Sequence, residues 1–188
     1  MNFIYEEYPE EITVGNIQIP IVTDFREIIR FIDMLKDDDL SVFEKTQLIR
    51  QYFLIDREYE LGQALEKFCD FIMMKSEKEN YNVEERENKH SCKVLYSYEI
   101  DYPYIFSAFL QDYGINIRTI KYMHWWEFRM LFDGLSSSTE IKQRMTYRGI
   151  DLNEIKSNEE RIRVLKIQKM IMLPEAKVTD FEIGDALW

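Results

Sequence analysis

Apolar residues recur along most of this chain with the 3.6-residue period of helices, and with the two-residue period of strands only near its start. Residues 11–22 (EITVGNIQIPIV) read as two short strands about a Gly15-Asn16 turn, since both residues accept the positive φ of a tight hairpin. Pro20 cannot donate a ladder hydrogen bond and so marks an edge or a strand end. A helix is expected from Asp24, where Asp24 and Glu27 have capping-box spacing and Phe25, Ile28, Ile29, Ile32 and Leu35 share one face. Asp37-Asp38-Asp39 breaks it. Ser41 and Glu44 open a second helix carrying Val42, Leu48, Ile49, Tyr52 and Phe53, and residues 59–74 continue in helical period through Leu61, Leu65, Phe68 and Ile72.

From Lys75 to Lys93 the apolar content falls to Tyr81, Val83 and Cys92 among balanced charges, which predicts a mobile linker open to proteases. Beyond it, Asp101 as cap, Pro103 in the first turn and Gly114 at the end define a helix over 99–113. Met123 to Asp133 gives another, stopped by Gly134. Ser137 and Glu140 have the spacing to cap a third, reaching about Tyr147. Asp151 and Glu154 repeat it before a longer helix that Pro174 terminates. The pattern therefore predicts a mainly α protein with a small N-terminal β-hairpin. Its parts are residues 1–74, the linker 75–93, an aromatic-rich helical part 94–174 and an extended tail 175–188.

Composition narrows this picture. The 188 residues are 46% hydrophobic and 14% aromatic, enough for a real core, while 6 Gly and 4 Pro are too few for a turn-rich β-sandwich. No apolar run approaches the roughly 20 residues that span a bilayer, and the N-terminus lacks a signal-peptide pattern, so no membrane association and a cytoplasmic location are expected. Cys69 and Cys92 are expected to stay reduced. The net charge of -11 is uneven: residues 1–60 hold 14 Asp/Glu against 6 Lys/Arg, and residues 101–149 hold 5 against 6. An acidic N-terminal portion with no concentrated basic patch disfavours nucleic acid as a partner.

Candidate chemistry is sparse. Neither a phosphate-cradling glycine loop nor a GxSxG elbow is present. His90 and Cys92 lie close in sequence but lack further ligands at recognisable spacing. Asp37-Asp38-Asp39 lacks the Gly and distal Glu of a calcium loop and reads as a helix connection. His124, beside two tryptophans at a helix start, reads as a core histidine. The expectation is a protein that is not an enzyme and takes no cofactor or metal.

Residues 101–135 concentrate aromatic rings at helical spacings. Adjacent residues on a helix differ by about 100° in direction, so Trp125 and Trp126 are expected to divide their roles, one in the core and one on another element or a partner. The segments Asp101-Tyr-Pro-Tyr-Ile-Phe-Ser-Ala-Phe-Leu-Gln-Asp-Tyr-Gly-Ile115, His124-Trp-Trp-Glu-Phe-Arg-Met-Leu-Phe-Asp-Gly-Leu135 and Tyr147-Arg148 resemble the phage gene-product-fifteen family. Gly15 and Ile21-Val-Thr-Asp-Phe-Arg26 match the opening of that family as well.

The resemblance implies a phage or prophage tail-assembly chaperone in the host cytoplasm, binding the helical tape-measure protein before tail-tube polymerisation. The alternative it leaves is a structural tail or baseplate component retained in the particle. It carries over no catalytic residue. Tyr102, Tyr104, Tyr122, Trp125, Trp126 and Phe128 are the expected partner contacts, the partner being the tape-measure protein, other tail proteins or a further copy of the chain.

Overall fold

The computed structural model describes residues 5–75 and 94–174. The charged segment after Lys75, with His90 and Cys92, and the tail 175–188 lie outside the described residues. Among the described residues, seven α-helices and one antiparallel hairpin confirm the mainly α class. The chain forms two compact units. The first holds residues 5–75 and Tyr122–Met130; the second holds 94–121 and 131–174.

In the first unit, β1 (Glu11–Val14) pairs with β2 (Ile17–Pro20) about Gly15, whose φ of 59° needs no Cβ to be accommodated. The register Ile12↔Ile19 points Ile12, Val14 and Ile19 inward and leaves Glu11, Thr13 and Gln18 outside. Pro20 ends β2 as its missing N–H requires, and its carbonyl accepts from Leu54 N at 2.8 Å. The helix α1 (Phe25–Lys36) starts where Asp24 accepts from the Arg26 backbone N–H. Burial pushes the Asp24 carboxyl up, but its hydrogen bonds and ion pair with Arg26 outweigh that and hold it below the usual range. α2 (Val42–Ile49) opens with the full Ser41/Glu44 capping box. Val42 and Phe43 nevertheless remain exposed, and the inward residue is Ile49. A 3-10 turn, Arg50–Tyr52, leads to α3 (Leu61–Ile72), which packs on β1. Phe68, wholly buried, meets Phe31, Phe53 and Phe71 at ring distances of 5.0, 5.5 and 5.9 Å and centres this core.

The second unit is built on α4 (Tyr102–Tyr113), α6 (Glu140–Gly149) and α7 (Asn158–Ile171). Gly114, at φ 67°, ends α4 in the left-handed conformation, its N–H bonding Leu110 O while Ile115 N bonds Phe109 O. Asp101 stands at the N-cap position, but its carboxylate caps nothing. It is fully buried and holds the Arg148 guanidinium in a two-pronged pair, 2.6 and 2.9 Å, and accepts from Ser97 N. Arg148 also donates to Leu95 O and Ile171 O, so one side chain ties the approach to α4 and the end of α7 to α6.

Two helix starts differ from the sequence expectation. Thr139, not Ser137, precedes α6, and its hydroxyl donates to Ser136 O. Asp151–Glu154 forms a turn, and α7 begins after Ser157, which accepts from Glu160 N. Ser157-x-x-Glu160 is the same capping spacing six residues further on, beside a better continuation of helix formers.

Between these elements in sequence lies α5 (Trp125–Asp133), whose first six residues belong to the first unit and whose last three belong to the second.

Candidate binding surfaces

The segments 23–25 and 123–125 run antiparallel: Phe25 N donates to Met123 O at 3.1 Å and Trp125 N to Thr23 O at 2.7 Å. This places His124 at the entrance to α5. Its Nδ1 accepts from the Trp126 backbone N–H at 3.0 Å and so caps the helix. With Nδ1 an acceptor, Nε2 carries the hydrogen and donates to Pro9 O at 3.1 Å. Burial lowers the imidazole pKa, against the opposing pull of the Pro9 bond and Glu10. A neutral ring with both nitrogens engaged, stacked on Tyr8 at 4.9 Å, is built to position backbone.

Both tryptophans are buried, Trp125 at 1% exposure and Trp126 at 4%. Of the two alternatives for the second ring, packing on another element holds, and a ring open to a partner is corrected: both indoles meet the end of α3. The indole of Trp125 donates to Ile72 O at 2.9 Å and that of Trp126 to Phe71 O at 2.8 Å, two successive carbonyls at the end of α3. The rotation of about 100° between adjacent side chains holds. In the first turn of α5, however, both directions are already occupied by other parts of the first unit. Trp126 stacks on Phe71 at 5.7 Å, and Trp125 on Phe128 at 5.9 Å. Phe128 is buried as well, against Phe25 at 4.5 Å. Trp125, Trp126 and Phe128 therefore serve the interior rather than a surface.

The other expected contact residues lie differently. Tyr122 is 50% exposed, its hydroxyl 2.8 Å from Thr23 Oγ1. It lines an open groove of about 770 Å³ with Glu7, Glu10 and Glu11 along the rim and Pro9, Pro20 and Leu54 beside it. In the second unit Tyr102 is 42% exposed, and its ring stacks on half-buried Phe106 at 6.1 Å. Leu110, one turn further along α4, is exposed too. Tyr104 is half-buried beneath the Arg144 guanidinium, 3.7 Å from the ring centre.

The match of the bacteriophage Gp15 protein family model runs over residues 6–173, taking in the His124-Trp125-Trp126 entrance, α4 and Arg148. The chain belongs to that family. No curated protein and no solved structure matches it. The placement of this family member among bacteriophage proteins agrees with the resemblance carried by Thr-Asp-Phe-Arg26 and His124-Trp-Trp.

Other chemistry in this family member is limited among the described residues. No group of three or more His, Cys, Asp or Glu is arranged to hold a metal ion, and no helix is long and apolar enough to cross a membrane. Burial pushes the Cys69 thiol up to about 12, leaving it protonated at neutral pH. Nothing in the sequence pattern marks Leu54, whose isolated position carries no periodic signal. The acidic N-terminal portion is plain in the sequence, but the gathering of three of its carboxylates at one groove is not. Nor does the sequence reveal the partnership of Asp101 with Arg148, 47 residues apart.

Proposed function

We propose that this protein is a non-catalytic tail-assembly chaperone that holds the helical tape-measure protein in the host cytoplasm until tail-tube subunits polymerise around it. The observation that carries the reading is the face of α4. Tyr102, Phe106 and Leu110 follow one another at intervals of four residues and stay at or near the surface, while Ile105, Ala108 and Phe109 of the same helix fill the core. A helix with apolar residues on both sides has one side to offer a partner, and a long helical chain with apolar stripes fits such a face. Membership in a bacteriophage family supports the setting. The engaged nitrogens of His124 and the protonated thiol of Cys69 support a role without catalysis.

Co-expression with tape-measure fragments tests the proposal. The fragments are expected to become soluble and to co-purify with the chain, and Tyr102→Ser with Leu110→Ser is expected to reduce the yield of complex without lowering stability. Fragments as insoluble as before would end the chaperone reading. Mass spectrometry of purified particles separates it from a retained tail or baseplate subunit, which would be present at stoichiometric copy number.

A further inference from the structure

We infer that the groove beside the hairpin is a docking site for a polypeptide segment in which apolar side chains are flanked by Lys or Arg. The inference rests on the proposed function only in taking the partner to be a protein, and it adds one place and one chemistry.

The rim supplies the charge. Glu7, Glu10 and Glu11 are exposed, and none of the three forms an ion pair among the described residues. Among the described residues, none that lines the groove is basic. Three carboxylates around an open hollow repel phosphates and anionic surfaces and attract cationic side chains. Apolar surface decides between a bare cation and a peptide: Leu54 is 59% exposed there, beside Pro9, Pro20 and the half-exposed ring of Tyr122. Such atoms gain from covering by other apolar atoms and gain nothing from a small ion.

The walls are fixed before any partner arrives. Ile21 N donates to Glu10 O at 2.9 Å, Leu54 N to Pro20 O at 2.8 Å, and His124 holds Pro9 O. Tyr122 is tied to Thr23 through their hydroxyls. A preformed site loses little conformational freedom on binding. The chain's own C-terminal residues 175–188 carry four carboxylates against one lysine, the wrong sign for this rim.

The test uses the full chain and two synthetic amphipathic peptides of one helical pattern, one of Leu and Lys, the other of Leu and Glu, titrated by fluorescence anisotropy. The Leu/Lys peptide is expected to bind and the Leu/Glu peptide not to. Combined Glu7→Lys, Glu10→Lys and Glu11→Lys is expected to weaken binding by about tenfold or more, with the far-UV circular dichroism unchanged. Leu54→Asn, which leaves the charge alone, is expected to weaken it several-fold. Combined Asp37→Lys, Asp38→Lys and Asp39→Lys changes the net charge equally and is expected to leave it within about twofold. Equal losses from the two charge reversals would reduce the effect to bulk attraction and overturn the inference, as would an unaffected Leu54→Asn variant. Self-association of the wild type that the groove reversal abolishes would make the occupant a second copy, and would overturn it too. Insoluble tape-measure fragments beside an intact peptide result would sink the proposed function while leaving the groove assignment standing.

Discussion

Trp125→Ala and Trp126→Ala are expected to destabilise the first unit by similar and large amounts. Each substitution empties a space of indole size in a packed interior, and such losses run to about 3–5 kcal/mol. Trp125→Ala also strands Ile72 O, which the indole meets at 2.9 Å, whereas Phe71 O, met by the Trp126 indole at 2.8 Å, keeps the Met74 backbone N–H at 3.0 Å. A buried acceptor without its donor costs about 1–3 kcal/mol, which pushes Trp125→Ala toward the upper end. Trp126→Phe removes the N–H while largely keeping the stack on Phe71; because Phe71 O keeps the Met74 N–H, about 0.5–1.5 kcal/mol is expected. The two sites share the last turn of α3, so the double alanine variant should depart from additivity by at least about 0.5 kcal/mol. Urea denaturation followed by far-UV circular dichroism measures all four, through midpoints compared at unchanged slope. A loss below about 1 kcal/mol for either alanine variant would place that ring at the surface and refute the shared-interior account.

Three further outcomes follow from single interactions. Arg148→Met leaves Asp101 charged and buried and frees the carbonyls of Leu95 and Ile171; a loss of about 3–5 kcal/mol is expected in urea denaturation. Adding Asp101→Leu should recover only part of it, because the two carbonyls stay unpaired; full recovery would show that they find water instead. The imidazole of His124 has a folded-state pKa below its ordinary value, so the unfolded chain binds the proton more tightly. Its stabilisation is therefore complete above about pH 6.5 and is lost as pH falls from there through the folded-state pKa. His124→Asn should flatten that part of the stability profile between pH 7 and 5, and an unchanged slope would assign it elsewhere. Gly114→Ala meets open space, so its whole cost is the left-handed backbone, about 1 kcal/mol; a neutral result would mean that the turn relaxes.

Local chemistry explains why most of the fold could be read from the chain. The Gly15 turn, the Asp24 cap, the Ser41/Glu44 box and the Gly114 terminator are each decided within four residues, by bonds that a short segment makes with itself. What stayed hidden depends on distant partners. Asp101 has every local mark of a cap, yet a guanidinium 47 residues away takes its carboxylate. Asp151 and Glu154 imitate a start signal, and only the continuation beyond Ser157 shows which of two equal spacings opens α7. For the two tryptophans, helical geometry alone treats α5 as an isolated rod. A neighbouring helix end offers two carbonyls in two directions and removes the need for an outward ring.

The same helix end bears on how the chain is born. The indoles of Trp126 and Trp125, which donate to the carbonyls of Phe71 and Ile72, lie 55 and 53 residues downstream. At about 5–20 residues per second, a ribosome needs several seconds to supply them. Through that interval residues 5–75 hold the sequence of the hairpin and of α1 to α3, but Ile72 O lacks its indole donor and the rings of Phe25 and Phe71 lack the surfaces that cover them. Nascent chains emerging side by side on one message are then most prone to stick to one another. A truncation that ends before Met130 should freeze the chain in that state, insoluble even though most of the first unit has been synthesised.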